Sequence, residues 1–162
     1  MANTKSTLLS LLVVVAAGGI VFGAYLVLKD ANRGWQTYAN DEFGYEIGYP
    51  PGWAITVRDP QPGDDFEYQE VRLSKGETSV LAAVNFQGGW CETGRSENRD
   101  ITVSGVAGVE TYCYYGSEPK PAGIVRYFKG AKGELNYTVF AQPTGGDVDT
   151  VRKIVQSFRF TD

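Results

Sequence analysis

The segment DEFGYEIGYPPGW, residues Asp41 to Trp53, alternates Phe43, Tyr45, Ile47 and Tyr49 with Gly44, Glu46 and Gly48. Successive side chains of a strand point to opposite faces, so this period of two predicts a strand with one buried, aromatic face. Pro50-Pro51-Gly52 ends it, because proline cannot donate to a sheet ladder and glycine permits the turn. Trp53 to Val57, WAITV, then predicts a returning strand. Such an aromatic strip could line a binding site, but a core claims it first, since buried rings supply apolar area that a small domain needs. Only the Tyr49–Trp53 end is left as an interaction surface, and that requires an exposed Trp53 ring.

Strand patterns continue downstream. Tyr68–Ser74 (YQEVRLS) and Thr78–Phe86 (TSVLAAVNF) predict two strands turning at Lys75-Gly76-Glu77. Gln87 to Asp100 is polar and reads as a loop, with Trp90-Cys91 in its middle. Ile101–Tyr115 alternates again, interrupted by Gly105 and Gly108, and GIVRYFKG with GELNYTVFAQ predicts a hairpin turning at Gly130 to Gly133. The period then changes, with Val148, Val151, Ile154, Val155 and Phe158 at helical spacing. Asp147 is placed to cap that helix, its side chain accepting from free amides of the first turn. Phe158-Arg159-Phe160 predicts a brief closing strand. The sum is an α+β domain, an antiparallel sheet with at least one packed helix.

Thr7 to Leu28 is an uncharged apolar run of 22 residues, and a bilayer core needs about 20 helical residues. The run is longer than a signal-peptide core and predicts an uncleaved anchor. It divides the chain into a cytoplasmic N-terminus (1–6), a transmembrane anchor (7–28), a linker (29–40) and an extracytoplasmic domain (41–162). Gly19 and Gly23 form a GxxxG inside the run, a spacing that permits close helix–helix contact. Positive charges at its two ends nearly balance. Cys91 and Cys113 break the tie, because an isolated pair in an exported domain reads as a disulfide. Two unpaired, buried thiols are the alternative. The orientation expected is therefore single-pass in the cytoplasmic membrane, N-terminus inside and domain outside.

The missing chemistry constrains function further. The chain has no His, which removes the usual neutral-pH general base and every His-dependent nucleophile system. No phosphate-binding glycine motif follows a strand, and no zinc set of Cys and His exists. No cofactor and no metal are expected. With 15 basic against 19 acidic residues and no basic run, nucleic acid is not an expected partner. Asp64, Asp65, Glu67 and Glu70 read as a solvated acidic loop, though two converging acids could serve a hydrolase.

With these elements placed, WQTYANDEFGYEIGYPPGW resembles the opening of membrane-anchored bacterial domains of the PsbP-like type, related in fold to the extrinsic photosystem II protein. Tyr38, Asn40, Glu42, Phe43, Gly44, Tyr45, Tyr49, Pro50 and Trp53 carry the likeness. VDTVRKIVQSFRF is similar to the family's final helix and Ser-Phe-x-Phe strand, here Ser157, Phe158 and Phe160. The likeness extends over Trp35 to Phe160 and implies a central antiparallel sheet packed by helices, an α/β/α sandwich. It also implies an accessory or binding role rather than an enzyme, and it transfers no site residue. The expected function is a non-catalytic, membrane-tethered binding or assembly domain with a protein partner and the bilayer as its contacts. Trp53 and Trp90 are its candidate surface residues. A pilin-like filament subunit, or less readily a carboxylate hydrolase, is the alternative.

Overall fold

A computed structural model describes residues 34–59, 69–86, 91, 94–131, 134–143 and 147–161. The apolar run 7–28 with Gly19 and Gly23, Trp90, and the acidic residues Asp64, Asp65 and Glu67 lie outside the described residues. Among those described, no helix is long and apolar enough to cross a membrane. Gln36 to Asp162 forms one compact unit.

The aromatic segment forms the middle of a small sheet. Strand β1 (Gln36–Asn40) and β2 (Tyr45–Tyr49) pair antiparallel, so the first strand already occupies the end of the stretch read as linker. Tyr45, Ile47 and Tyr49 are buried while Glu46 and Gly48 are half-covered, as the alternation requires. Phe43 falls in the turn before β2, where its amide donates to Asn40 Oδ1 at 3.0 Å. After Gly52, whose φ of +80° suits glycine, Trp53 turns inward. Strand β3 (Ala54–Arg58) does not return to β2. It leaves for a second sheet.

That sheet contains β3, β4 (Gln69–Lys75), β5 (Thr78–Val84), β6 (Arg95–Val103), β7 (Val106–Tyr114), β8 (Gly123–Ala131) and β9 (Leu135–Gln142). Its order is β3-β4-β5-β9-β8-β7-β6, with every neighbouring pair antiparallel. Two meanders therefore meet where β9 docks on β5. Ile101–Tyr115, read as one interrupted strand, is instead the end of β6, the turn and all of β7, and β6 begins at Arg95 inside the stretch read as a polar loop. Ser104 and Gly105 both have positive φ (49° and 81°), the pattern of a two-residue type I′ turn. Gly108 interrupts the alternation because a Cβ there would sit 2.4 Å from the Phe128 ring and 2.7 Å from the Tyr127 carbonyl.

Among the described residues one helix, α1 (Val148–Ser157), packs against β2, β5, β8 and β9. Asp147 caps it as expected, accepting from the Thr150 amide at 3.3 Å. Val148, Val151, Ile154 and Val155 face inward. Ser157 accepts from the Gly48 amide at 2.8 Å and donates to the Ile154 carbonyl at 2.6 Å, fastening the helix end to β2. The short β10 (Arg159–Phe160) then pairs with β2, reinforced by an ion pair between Arg159 and Glu46. Behind it, Tyr45, Phe128, Tyr137, Phe158 and Phe160 form a ring cluster with centroids 5.0–6.1 Å apart, within the range of favourable aromatic pairing.

The expected α/β/α sandwich is therefore corrected. Two antiparallel sheets and one ten-residue helix make up the described fold. The face of the large sheet away from α1 has a different covering. On β4 that face carries Glu70 and Arg72 and needs no apolar cover. In its middle the connection from β5 to β6 is held at two points, Phe86 accepting from Thr138 Oγ1 at 3.1 Å and Cys91 bonded to Cys113. Among the described residues no second helix lies on this face, which is polar on β4 and tied to Cys91 through Cys113.

Buried tyrosines give the fold a pH signature. Tyr45 donates to Gln69 Oε1 at 2.7 Å and Tyr137 to the Phe43 carbonyl at 2.7 Å. Burial, then the neighbouring Tyr38 hydroxyl, pushes the Tyr45 phenol far above its ordinary value, and burial raises Tyr137 as well. A raised folded-state pKa means stability that is complete below the unfolded value, about 10, and lost as pH climbs through the higher folded values. Thermal melts are expected to be flat from about pH 7 to 9 and to fall steeply above about pH 10, with phenol ionisation coinciding with loss of ellipticity. Titration of every tyrosine near the ordinary value in a still-folded protein would contradict this.

Candidate interaction surface

The β6–β7 hairpin supplies the most organised polar feature among the described residues. Its register sets Arg95 opposite Tyr114, Glu97 opposite Tyr112, Arg99 opposite Glu110 and Ile101 opposite Gly108. Period two places all eight on one face, the face that α1 covers farther along the sheet. On β8, Arg126 lies opposite Glu110 and Ile124 opposite Tyr112, so the row continues into the core.

The row is graded from buried to wet. At its inner end, Arg126 Nε meets Glu110 Oε2 at 2.6 Å, with the two residues 8% and 6% exposed. Arg126 also donates from a terminal nitrogen to the Val155 carbonyl at 3.0 Å. The last turn of α1 has no basic residue of its own, so this guanidinium supplies the positive charge that a helix C-terminus favours. The second Glu110 oxygen accepts from the Tyr112 hydroxyl at 2.7 Å. Burial, then that bond and the Glu110 charge, raises the Tyr112 phenol, with Arg152 and Arg99 pulling the other way. Tyr112 thus stays a neutral donor at physiological pH.

Toward solvent, the Arg99 guanidinium lies over the Tyr112 ring, 5.0 Å from its centroid. The Arg95 guanidinium lies 4.3 Å above Tyr114. Both distances are in the range of cation–π attraction. Glu97 sits between them, 3.2 Å from an Arg95 nitrogen and accepting from the Tyr114 hydroxyl at 3.4 Å. Arg152 reaches in from α1, pairing with Asp149 at 3.6 Å. Its Nε is buried without a hydrogen-bond partner. In a chain of net charge −4, four arginines gather along this one strip.

No protein-family model matches this chain, and no curated protein matches it significantly. Function must therefore be read from the side chains. The strip offers little to catalysis, because Glu110 is occupied by Arg126 and Tyr112, and Tyr112 is held neutral. Among the described residues, no group of three or more His, Cys, Asp or Glu could hold a metal ion. The strip does offer rigid contact area. Stacking fixes each guanidinium against a ring, which lowers the entropy lost when a partner docks. Tyr and Arg are also the residue types that dominate binding hot spots.

The residues singled out from sequence fare differently. Cys91 and Cys113 are joined, with Cα atoms 5.4 Å apart. Trp53 is 6% exposed and belongs to the core, so its ring offers no surface. Glu70 is tied to Arg72 by bonds of 3.2 and 2.9 Å. Trp90, Gly19, Gly23, Asp64, Asp65 and Glu67 lie outside the described residues. Sequence reading missed Arg95, Arg99, Glu110, Tyr112, Tyr114 and Arg126. The signal was there, as Arg-x-Glu-x-Arg before a Ser-Gly turn and Glu-x-Tyr-x-Tyr after it.

Proposed function

We propose that this chain is a non-catalytic binding domain, tethered to the cytoplasmic membrane through residues 7–28, that captures a protein partner on the outside. The observation that carries the reading is the pair of exposed arginines, Arg95 and Arg99, stacked on Tyr114 and Tyr112. The uncharged run of 22 residues supports the tether. The Cys91–Cys113 disulfide supports an oxidising compartment. The likeness of the opening and closing motifs to PsbP-like accessory domains supports a binding role over a catalytic one.

The test is chemical cross-linking of the full-length chain in its own membrane. Wild type is expected to retain one specific partner, and Arg95→Ala with Arg99→Ala to reduce that product at least about tenfold. Both side chains leave the core untouched, so the double variant is expected to melt as wild type. Unchanged cross-linking by the double variant would overturn the reading.

A further inference from the structure

We infer that β3 is a self-pairing edge through which two copies of this chain join into one continuous sheet. Edge strands expose unpaired backbone donors and acceptors, and natural proteins block them with charge, brevity, bulges or cover. Two of the other three edges of the described fold carry such protection. Strand β6, at the far edge of the large sheet, bears Arg95, Glu97, Arg99 and Asp100. In the small sheet β10 has two residues, whereas β1, uncharged and five residues long, differs from β3 in presenting Gln36, Thr37 and Asn40 in place of aliphatic side chains. Strand β3 has none of these devices before its last residue. All five of its residues are exposed, Ile55 and Val57 at 39% and 43%.

The strand's own order specifies the occupant. Antiparallel pairing with a second β3 about Thr56 sets Ile55 opposite Val57 of the other copy, and Val57 opposite its Ile55. Four apolar side chains then form one cluster on one face, of the cross-strand type that stabilises sheets. Ile55 and Val57 share the face of Leu73 and Val71 on β4, so the cluster prolongs the existing apolar face. Charge agrees with this register. Arg58 falls opposite Ala54, and the two Arg58 side chains lie about 14 Å apart along the strands. A self-complementary patch is what a two-fold dimer requires. The inference does not depend on the Arg–Tyr strip, which lies at the opposite edge of the sheet.

A single engineered thiol tests it, because both native cysteines are already bonded. Thr56 lies opposite its own counterpart in this register, at about 4.5–5.5 Å between Cα atoms, a spacing that accepts a disulfide. Full-length Thr56→Cys, purified in mild detergent and oxidised gently, is expected to give a covalent dimer at least about tenfold more readily than Thr102→Cys on the far edge. Adding Val57→Lys, or independently Ile55→Lys, is expected to remove the Thr56 cross-link while leaving the thermal melt unchanged. Equal cross-linking at Thr56 and Thr102, no dimer at Thr56, or a dimer that survives both lysine variants would each overturn the inference.

Discussion

Replacing Arg126 with alanine is expected to lower stability by about 3–5 kcal/mol, a large share of the 5–15 kcal/mol typical of a folded domain. The cost comes chiefly from what the substitution leaves behind. Glu110 would remain 6% exposed with its charge uncompensated, its only retained bond in that row coming from Tyr112. The Val155 carbonyl at the end of α1 would lose the shorter of its two hydrogen bonds and keep only that from the Phe158 amide at 3.4 Å. A buried charge without its partner costs far more than the intact pair contributes, because the pair's attraction largely repays the desolvation of both ions. Arg126→Met with Glu110→Leu is therefore expected to recover most of the loss. Chemical denaturation of the two variants measures this directly. Equal losses in the single and double variants would show that packing of the arginine stem, and not the stranded carboxylate, is what matters.

Removing the disulfide is the second large effect. Cys91 and Cys113 are 22 residues apart in sequence, and the chain between them contains all of β6 and most of β7. Closing such a loop restricts the unfolded chain and stabilises by roughly 3 kcal/mol. The bond also fixes the β5–β6 connection to the sheet. Strands β5 and β6 are separated by β9, β8 and β7 and run parallel, so the connection must cross the sheet and not simply turn. Cys91→Ser with Cys113→Ser is expected to lower the melting temperature by roughly 10 °C. Reduction of wild type is expected to give the same shift, and the double variant is expected to be insensitive to reductant. Two titratable thiols in native protein taken from its membrane would refute the bond and the oxidising address together.

Some elements were legible because their information is local. Tyr45, Ile47 and Tyr49 declare their buried face through spacing alone, since the pleat sends every second side chain the same way. Val148, Val151, Ile154 and Val155 do the same for α1, and Asp147 marks its start. The β4–β5 hairpin announces its turn at Gly76, whose φ is +60°. By contrast, β6 was hidden because charged residues on both of its faces look like a loop until a partner strand is known. Its Ser104-Gly105 turn was the overlooked cue.

The sequence by itself determined the helix α1 and the strands other than β1 and β6, the aromatic core face and the pairing chemistry of the two cysteines. Each rests on periodicity or residue type within a short window. Only the tertiary structure decided that WAITV leaves its neighbour for another sheet, that α1 alone packs on the described sheets, and that Arg126 meets Glu110. Those outcomes depend on register between strands distant in sequence, which a shift of one residue would reverse from core to solvent. No local pattern encodes that choice, because it is made by the summed fit of all the strands at once.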